Sequence, residues 1–361
     1  LDNQMHAIDF LNSDVLDLPK TRTEVDFEKY VSQVLDAYLA ELEKVRPTDF
    51  ISKNVAAKME LVTKVCAKLK EAINQFLRGY PFRAYQCIES AINELGAHFN
   101  QFFPQKDMTK ELRSLYRMCT DTSKSVSRGR VFHCPFELRH RVGTQRYSIP
   151  GLPCLYFGGS SLVCWRELRE PSMGEVHISR FGVVEGTELN IVNLAYRPAL
   201  MAAMISSNLK EVNAEGGLSA LAISYAACWP ILAVCAVRRL HDGPFAPEYI
   251  VPQMLLQWVC DTKQYHGIRF FSTRTEEFFD DPKTGVNYVF PARTTPGSGY
   301  CAELSKMFQL TDPLSWNDAV SARATGIAVP RYKIRGNPIA EHEKNFGHVE
   351  SVLDALNLKS V

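Results

Sequence analysis

Apolar residues recur at three- and four-residue steps through the N-terminal part of the chain. Between Asp26 and Arg46, Phe27, Tyr30, Val31, Val34, Leu35, Tyr38, Leu42 and Val45 are separated by charged and polar residues, the pattern of an amphipathic helix that buries one face. A second helix is expected from Asn54, whose side chain can cap the first turn, through Val55, Met59, Val62, Cys66, Leu69, Ile73 and Leu77 to a stop at Gly79. Pro81 suits the first position of a third helix, which carries Tyr85, Ile88, Ile92 and Leu95 toward the same core. Short connections between such helices favour an antiparallel bundle.

After QFFPQKDMTK, near residue 108, the period changes. RVFHCPF, LPCLYF, GEVHISRFGVV, ELNIVNL, WPILAVCAV, GIRFFS and NYVFPA are short apolar runs punctuated by Gly and Pro, and read as strands. Helices are expected from Ser161 to Arg169, from Tyr249 to Cys260 and within HVESVLDALNL. The fold class is therefore α+β, with an antiparallel helical bundle over 1–108 and a domain of strands and helices over 109–361. The uncharged run from Leu218 to Val237 is long enough to raise a membrane span, but it is rich in Ala, Ser and Cys and contains Pro230. A buried helix ending near Cys228 and a strand from Ile231 to Val237 fit it better, with no membrane contact.

Composition narrows the chemistry. Lys and Arg number 41 against 40 Asp and Glu, so no bulk positive field draws nucleic acid or anionic lipid, and general nucleic-acid binding is not expected. The ten cysteines lie singly, without a CxxC pair, which argues against a zinc ribbon or disulfide framework and for reduced thiols in a cytoplasmic protein. No signal-peptide pattern opens the sequence. There is no Walker loop, HExxH, GxSxG or GxGxxG, and neither His133 with His140 nor His342 with His348 has the spacing of a helical metal pair. No metal is expected.

One stretch stands out. In QRYSIPGLPCLYFGGSSLVCWREL, Gln145 to Leu168, no charge falls between Arg146 and Arg166. Leu152 to Phe157 reads as a buried strand, Gly158 and Gly159 allow a tight passage, and Ser160 or Ser161 can cap the following helix. On that helix Cys164, Glu167 and Leu168 fall at i, i+3 and i+4, which sets the glutamate beside an apolar stripe. A plain structural reading makes Arg146 and Glu167 a buried ion pair and Tyr156 a core tyrosine.

At these residues the chain resembles the RES domain family, named for arginine, glutamate and serine. SLYRMC supplies the early Tyr-Arg, Tyr116 and Arg117; QRYSIPGLP supplies Arg146 and Tyr147; CLYFGGS supplies Tyr156; VCWREL supplies Glu167. GIRFFSTR with Ser272 and NYVFP with Asn287 resemble the late Ser and Asn-aromatic segments more loosely, and EYIVPQ offers Gln253 but no serine where some members place theirs. The likeness covers roughly residues 112 to 295, and a several-part motif in fixed order is far more specific than a single match.

The resemblance implies an ADP-ribosyltransferase-like fold with a mixed, mainly antiparallel β core for the second part and a HEPN-like bundle for the first. It also implies NAD as substrate, consumed by hydrolysis or by phosphate, in a toxin checked by an antitoxin or phage-sensing partner. In that reading Glu167, Arg146 and Tyr156 carry the chemistry, and Arg117, Tyr116, Tyr147, Ser272 and Asn287 bind the dinucleotide. The helical part would serve dimerisation, inhibition or docking, giving a homo-oligomer. Three other functions compete. They are ADP-ribosyl transfer to a macromolecule, non-enzymatic NAD or ADP-ribose binding, and a HEPN-type ribonuclease, for which Arg128 and His133 show the spacing but lie outside the bundle.

Overall fold

Asp26 accepts a hydrogen bond from the Lys29 amide at 3.0 Å and so caps the helix Phe27–Glu43, whose buried face is Phe27, Tyr30, Val31, Leu35, Tyr38 and Leu42. The expected second helix starts earlier and is broken. Asp49 caps Phe50–Ala56 through the Ser52 amide at 2.9 Å, and Met59–Leu77 follows as a separate helix. Asn54 therefore lies inside the first of these, where its side-chain amide donates to the Phe50 carbonyl at 2.8 Å instead of capping. Pro81 opens Pro81–Leu95 at its first turn, where a missing amide proton costs nothing.

The computed structural model describes residues 5–105, 112, 114–207, 217–274, 284–293, 297–322 and 344–361, which fall into two units. Leu1–Pro104 and Val192–Lys263 form the first, and Gln105–Ile191 with Gln264–Val361 form the second. A single boundary near residue 108 does not describe this chain. The helices Gly217–Cys235 and Ile250–Thr262 are largely buried within the first unit, and Pro198–Ser207 buries one face there through Pro198, Met201, Ala202 and Ile205.

The most apolar segment is one helix, Gly217–Cys235, with Pro230 inside it, rather than a helix followed by a strand. Proline lacks the amide that would bond the carbonyl four residues back, which is that of Ala226. The Tyr38 hydroxyl donates to this carbonyl at 2.5 Å, and its ring stacks on Trp229 with centroids 4.2 Å apart. The orphaned acceptor is thus satisfied from another helix. Among the described residues this is the one helix long and apolar enough to cross a membrane, and 83% of its most apolar window is buried. Nearby, Arg22 and Glu248 form a buried ion pair at 2.7 Å, and the Leu240 amide donates to the same Glu248 oxygen at 3.1 Å.

The second unit is built on a mainly antiparallel sheet, which with the helices makes the chain α+β. In chain order its strands are β1 Leu115–Thr120, β2 Cys154–Gly158, β3 Val176–Val183, β4 Gly267–Phe271, β5 Val286–Pro291, β6 Phe308–Leu310 and β7 Leu314–Ser315. Their spatial order is β4-β5-β2-β1-β3-β6, with β7 also paired to β3. LPCLYF, GEVHISRFGVV, GIRFFS and NYVFPA are strands as expected, and ELNIVNL keeps only Ile191–Asn193. RVFHCPF is not a strand. It begins in the helical turn Arg128–Val131, closed by the Arg130 amide on the Ser127 carbonyl at 3.0 Å, and leads into the 3-10 turn Phe136–Arg141, with the His133 ring accepting from the Cys301 amide at 2.8 Å and bonding the Cys134 carbonyl at 2.8 Å.

Alternation along the strands divides the side chains. Tyr116, Met118, Val176 and Ile178 pack under the helices Ser161–Glu167, Trp316–Ser321 and Lys344–Asp354, with Leu162, Cys164, Phe346, Val349 and Leu353. Phe157, on the other face, meets the rings of Phe181, Phe308 and Phe290.

Candidate active site

The passage from β2 into the helix Ser161–Glu167 is tight. A Cβ on Gly158 would lie 2.7 Å from the Cys164 sulfur and 2.8 Å from the Ser160 carbonyl oxygen, so only glycine fits. Ser160 caps the helix by accepting from the Val163 amide at 3.2 Å, and its hydroxyl donates to the Thr284 carbonyl at 2.8 Å. Gly159 donates to the Val286 carbonyl at 2.8 Å. At the far end the helix closes in left-handed backbone at Arg169, φ 65°, and Glu170, φ 56°, with the Glu170 amide on the Trp165 carbonyl at 3.0 Å. Both ends are fixed, and Glu167 stands in the last turn.

Three groups meet on its carboxylate. Ser272 Oγ and Asn287 Nδ2 each donate to Glu167 Oε1 at 2.7 Å, and Arg274 Nε lies 3.4 Å from Oε2. Ser272 and Asn287 are buried, whereas Glu167 and Arg274 side chains are 34% and 33% exposed. One oxygen is thus saturated by neutral donors while the other faces a cation near solvent. Donors already aimed at a carboxylate hold its position without reorganisation when charge develops beside it. Residues 272–274 organise the corner, because Thr273 Oγ1 also accepts from the buried guanidinium of Arg146 at 2.8 Å. Glu167 therefore has Arg274, not Arg146, as its ion-pair partner, and the plain structural pairing does not form.

Register explains which residues gather here. Tyr116 lies opposite Gly158, and Gly158 opposite Asn287, so these share the face under the helix that carries Glu167. Tyr156, two residues before Gly158, is on that face too, and its hydroxyl is 3.0 Å from Ser148 Oγ. Tyr147 is fully buried with its ring 4.4 Å from that of Phe270, which stands opposite Asn287, so it forms a wall. Tyr116 is absorbed into the core, with its hydroxyl 3.3 Å from Asp354 Oδ1.

Arg117 does not join the group. It is opposite Ser179 on the other face of the sheet, since one strand cannot send neighbouring side chains to the same side. Its Nη1 donates to the Tyr156 carbonyl at 2.8 Å, and its Nε is buried without a hydrogen-bond partner. Burial pulls its pKa below the usual arginine value. Of the residues expected to act, Glu167, Arg146, Tyr156, Ser272 and Asn287 lie in one region, Tyr147 lines it, and Tyr116 and Arg117 serve the sheet.

Arg274 and Thr273 were missed, although both stand in the quoted GIRFFSTR beside Ser272. Their proximity to Ser272 in that motif was the available signal. Burial pushes the Cys164 thiol up to about 12, so it is no nucleophile for this site. Among the described residues no cluster of His, Cys, Asp or Glu could hold a metal ion. The ribonuclease spacing gains nothing, as Arg128 pairs with Asp312 at 2.5 Å and His133 is wholly buried on backbone groups.

The fold and site thus define an α+β chain with a pre-set carboxylate at the end of a short helix over an antiparallel sheet. Over 356 residues, 94% of its length, the chain is 30% identical to the Bacillus subtilis (strain 168) protein named "Putative toxin YopC", of which it covers 78%. The chain belongs to the family of that protein. No protein-family model matches it, and no solved structure matches it significantly.

Proposed function

We propose that this chain is a NAD-consuming toxin that cleaves the bond between nicotinamide and ribose. One observation carries the reading: Ser272 and Asn287, distant in sequence from Glu167, both donate to its carboxylate at 2.7 Å. These are the residues that the RES resemblance picks out, and the relative's name, which speaks of a toxin, agrees with an activity that would deplete a cell of NAD.

The chemistry assigns each group a task. When the glycosidic bond breaks, its electron pair leaves with nicotinamide, which becomes neutral, and the ribosyl carbon becomes an oxocarbenium-like cation. The Glu167 carboxylate stabilises that cation and accepts a bond from the ribose 2-hydroxyl. Water then adds and loses a proton, giving ADP-ribose, or phosphate adds in its place. Arg146 offers a planar fork of donors to the pyrophosphate, and Tyr156 offers a ring to nicotinamide. Arg117 holds the backbone of β2 beneath Tyr156 instead of touching the dinucleotide. A NAD-consuming enzyme endangers its host, so an antitoxin or phage-sensing partner in the same cytoplasm restrains it, and the helical unit is the docking or self-association element.

Incubating the purified chain with NAD labelled in the adenylate half, with and without phosphate, tests this. Release of nicotinamide with label in ADP-ribose or its phosphate ester is the expected result. Label on a macromolecule would make the chain a transferase, and binding without nicotinamide release would make it a sensor.

A further inference from the structure

The helix Ser161–Glu167 has seven residues, too few to be stable alone, and its position decides where the Glu167 carboxylate sits. Its first turn is gripped by a carboxylate from the C-terminal helix Lys344–Asp354. Glu350 Oε1 accepts from the Ser161 amide at 2.6 Å and from Ser161 Oγ at 2.7 Å. Glu350 is itself buried, as is Ser161, so these bonds form in a low-dielectric setting beside the positive end of the short helix. The same C-terminal helix lays Phe346, Val349 and Leu353 against Leu162 and Cys164, and brings the Phe346 ring within 5.6 Å of Trp165. It also places Asp354 2.8 Å from Ser114 Oγ, beside the start of β1. None of this segment lies in the part of the chain that resembles RES domains.

We infer that Glu350 is a positioning residue for Glu167: it fixes the first turn of the helix whose last turn carries the reacting carboxylate. The inference rests on the NAD-cleaving reading for its kinetic consequence, but its structural content does not. Glu350 touches neither Glu167 nor its three partners, so it acts through the helix. A shift of the carboxylate by about 1 Å is enough to cost up to roughly a hundredfold in rate.

The test compares three variants of the full chain. Glu350→Gln removes the charge and Ser161→Ala removes one of the two donors. Val352→Ala removes a buried side chain of the same helix that lies outside the cluster packed on Ser161–Glu167. Glu350→Gln is expected to lower kcat for nicotinamide release about tenfold or more, with KM changed less than about twofold, and Ser161→Ala to do so more weakly. Val352→Ala should lose stability but keep kcat while folded. Amide hydrogen exchange over residues 161–168 should quicken more in Glu350→Gln than in Val352→Ala, a readout that holds even if the wild type does not cleave NAD. Wild-type inactivity together with that exchange difference would sink the functional reading alone. Equal exchange in the two variants, or kcat lost in proportion to stability in all three, would overturn the positioning role.

Discussion

At the scale of single residues the central fact is how the Glu167 carboxylate is held. Ser272 and Asn287 reach it from β4's end and from β5, and both are buried, so removing either leaves a charged acceptor short of one donor. A hydrogen bond to a charged group contributes about 1.5–3 kcal/mol, which corresponds to roughly ten- to hundredfold in rate if the donor is needed in the transition state. Ser272→Ala and Asn287→Ala are therefore expected to lower kcat by that range, with binding of NAD, read by calorimetry, changed far less. Loss of binding with unchanged kcat would assign both residues to the ground state. The RES resemblance made Glu167, Ser272 and Asn287 legible in the sequence, because it singles out a glutamate, a serine and an asparagine in that order, whereas spacing by itself does not bring residues more than a hundred positions apart together. Arg117 was misread because a two-residue motif does not say which face of a strand each member takes. Thr273 and Arg274 were overlooked because single polar residues after a strand look like turn residues until their partners are known.

At the scale of elements the amphipathic faces of Phe27–Glu43, Met59–Leu77 and Pro81–Leu95 were readable, since charge alternating with apolar residues at helical steps has few other solutions. Gly217–Cys235 was not, and the reason is specific. It is apolar on every side, so no period marks it, and Pro230 argues for a break that the fold repairs with a hydroxyl from Tyr38, 188 residues away in sequence. That repair is testable. Tyr38→Phe leaves the buried Ala226 carbonyl without its donor, so unfolding by denaturant should show a loss of about 1–3 kcal/mol at unchanged m-value. No loss would mean that the helix tolerates Pro230 without help. RVFHCPF failed as a strand because its amides close local turns, Arg130 on the Ser127 carbonyl and Phe132 on that of Gly129, while the His133 ring takes the Cys134 carbonyl.

At the scale of the whole molecule, the chain leaves the second unit at Ile191, adds residues 192–263 to the first, and returns at Gln264. Such a discontinuity has no local mark in the sequence, whereas the change of period near residue 108 does. Both units carry histidines shielded from solvent, the half-buried His98 in the first and the buried His133 and half-buried His266 in the second, and desolvation holds each imidazole below its usual 6.5. The unfolded chain therefore takes up these protons at higher pH than the folded one. The stability they contribute is complete above about pH 6.5 and is lost as pH falls toward the lower folded values, so the thermal midpoint should drop on acidification below 6.5. A midpoint flat from pH 7 to 5 would show that the rings are not kept neutral. The account as a whole stands on Glu167 as the reacting carboxylate. The most direct measurement is the rate of nicotinamide release from NAD by wild type and Glu167→Gln at matched folded concentration. A fall of at least about a hundredfold, on the order of 3 kcal/mol in barrier, is predicted, and near-normal release by the variant would contradict the account.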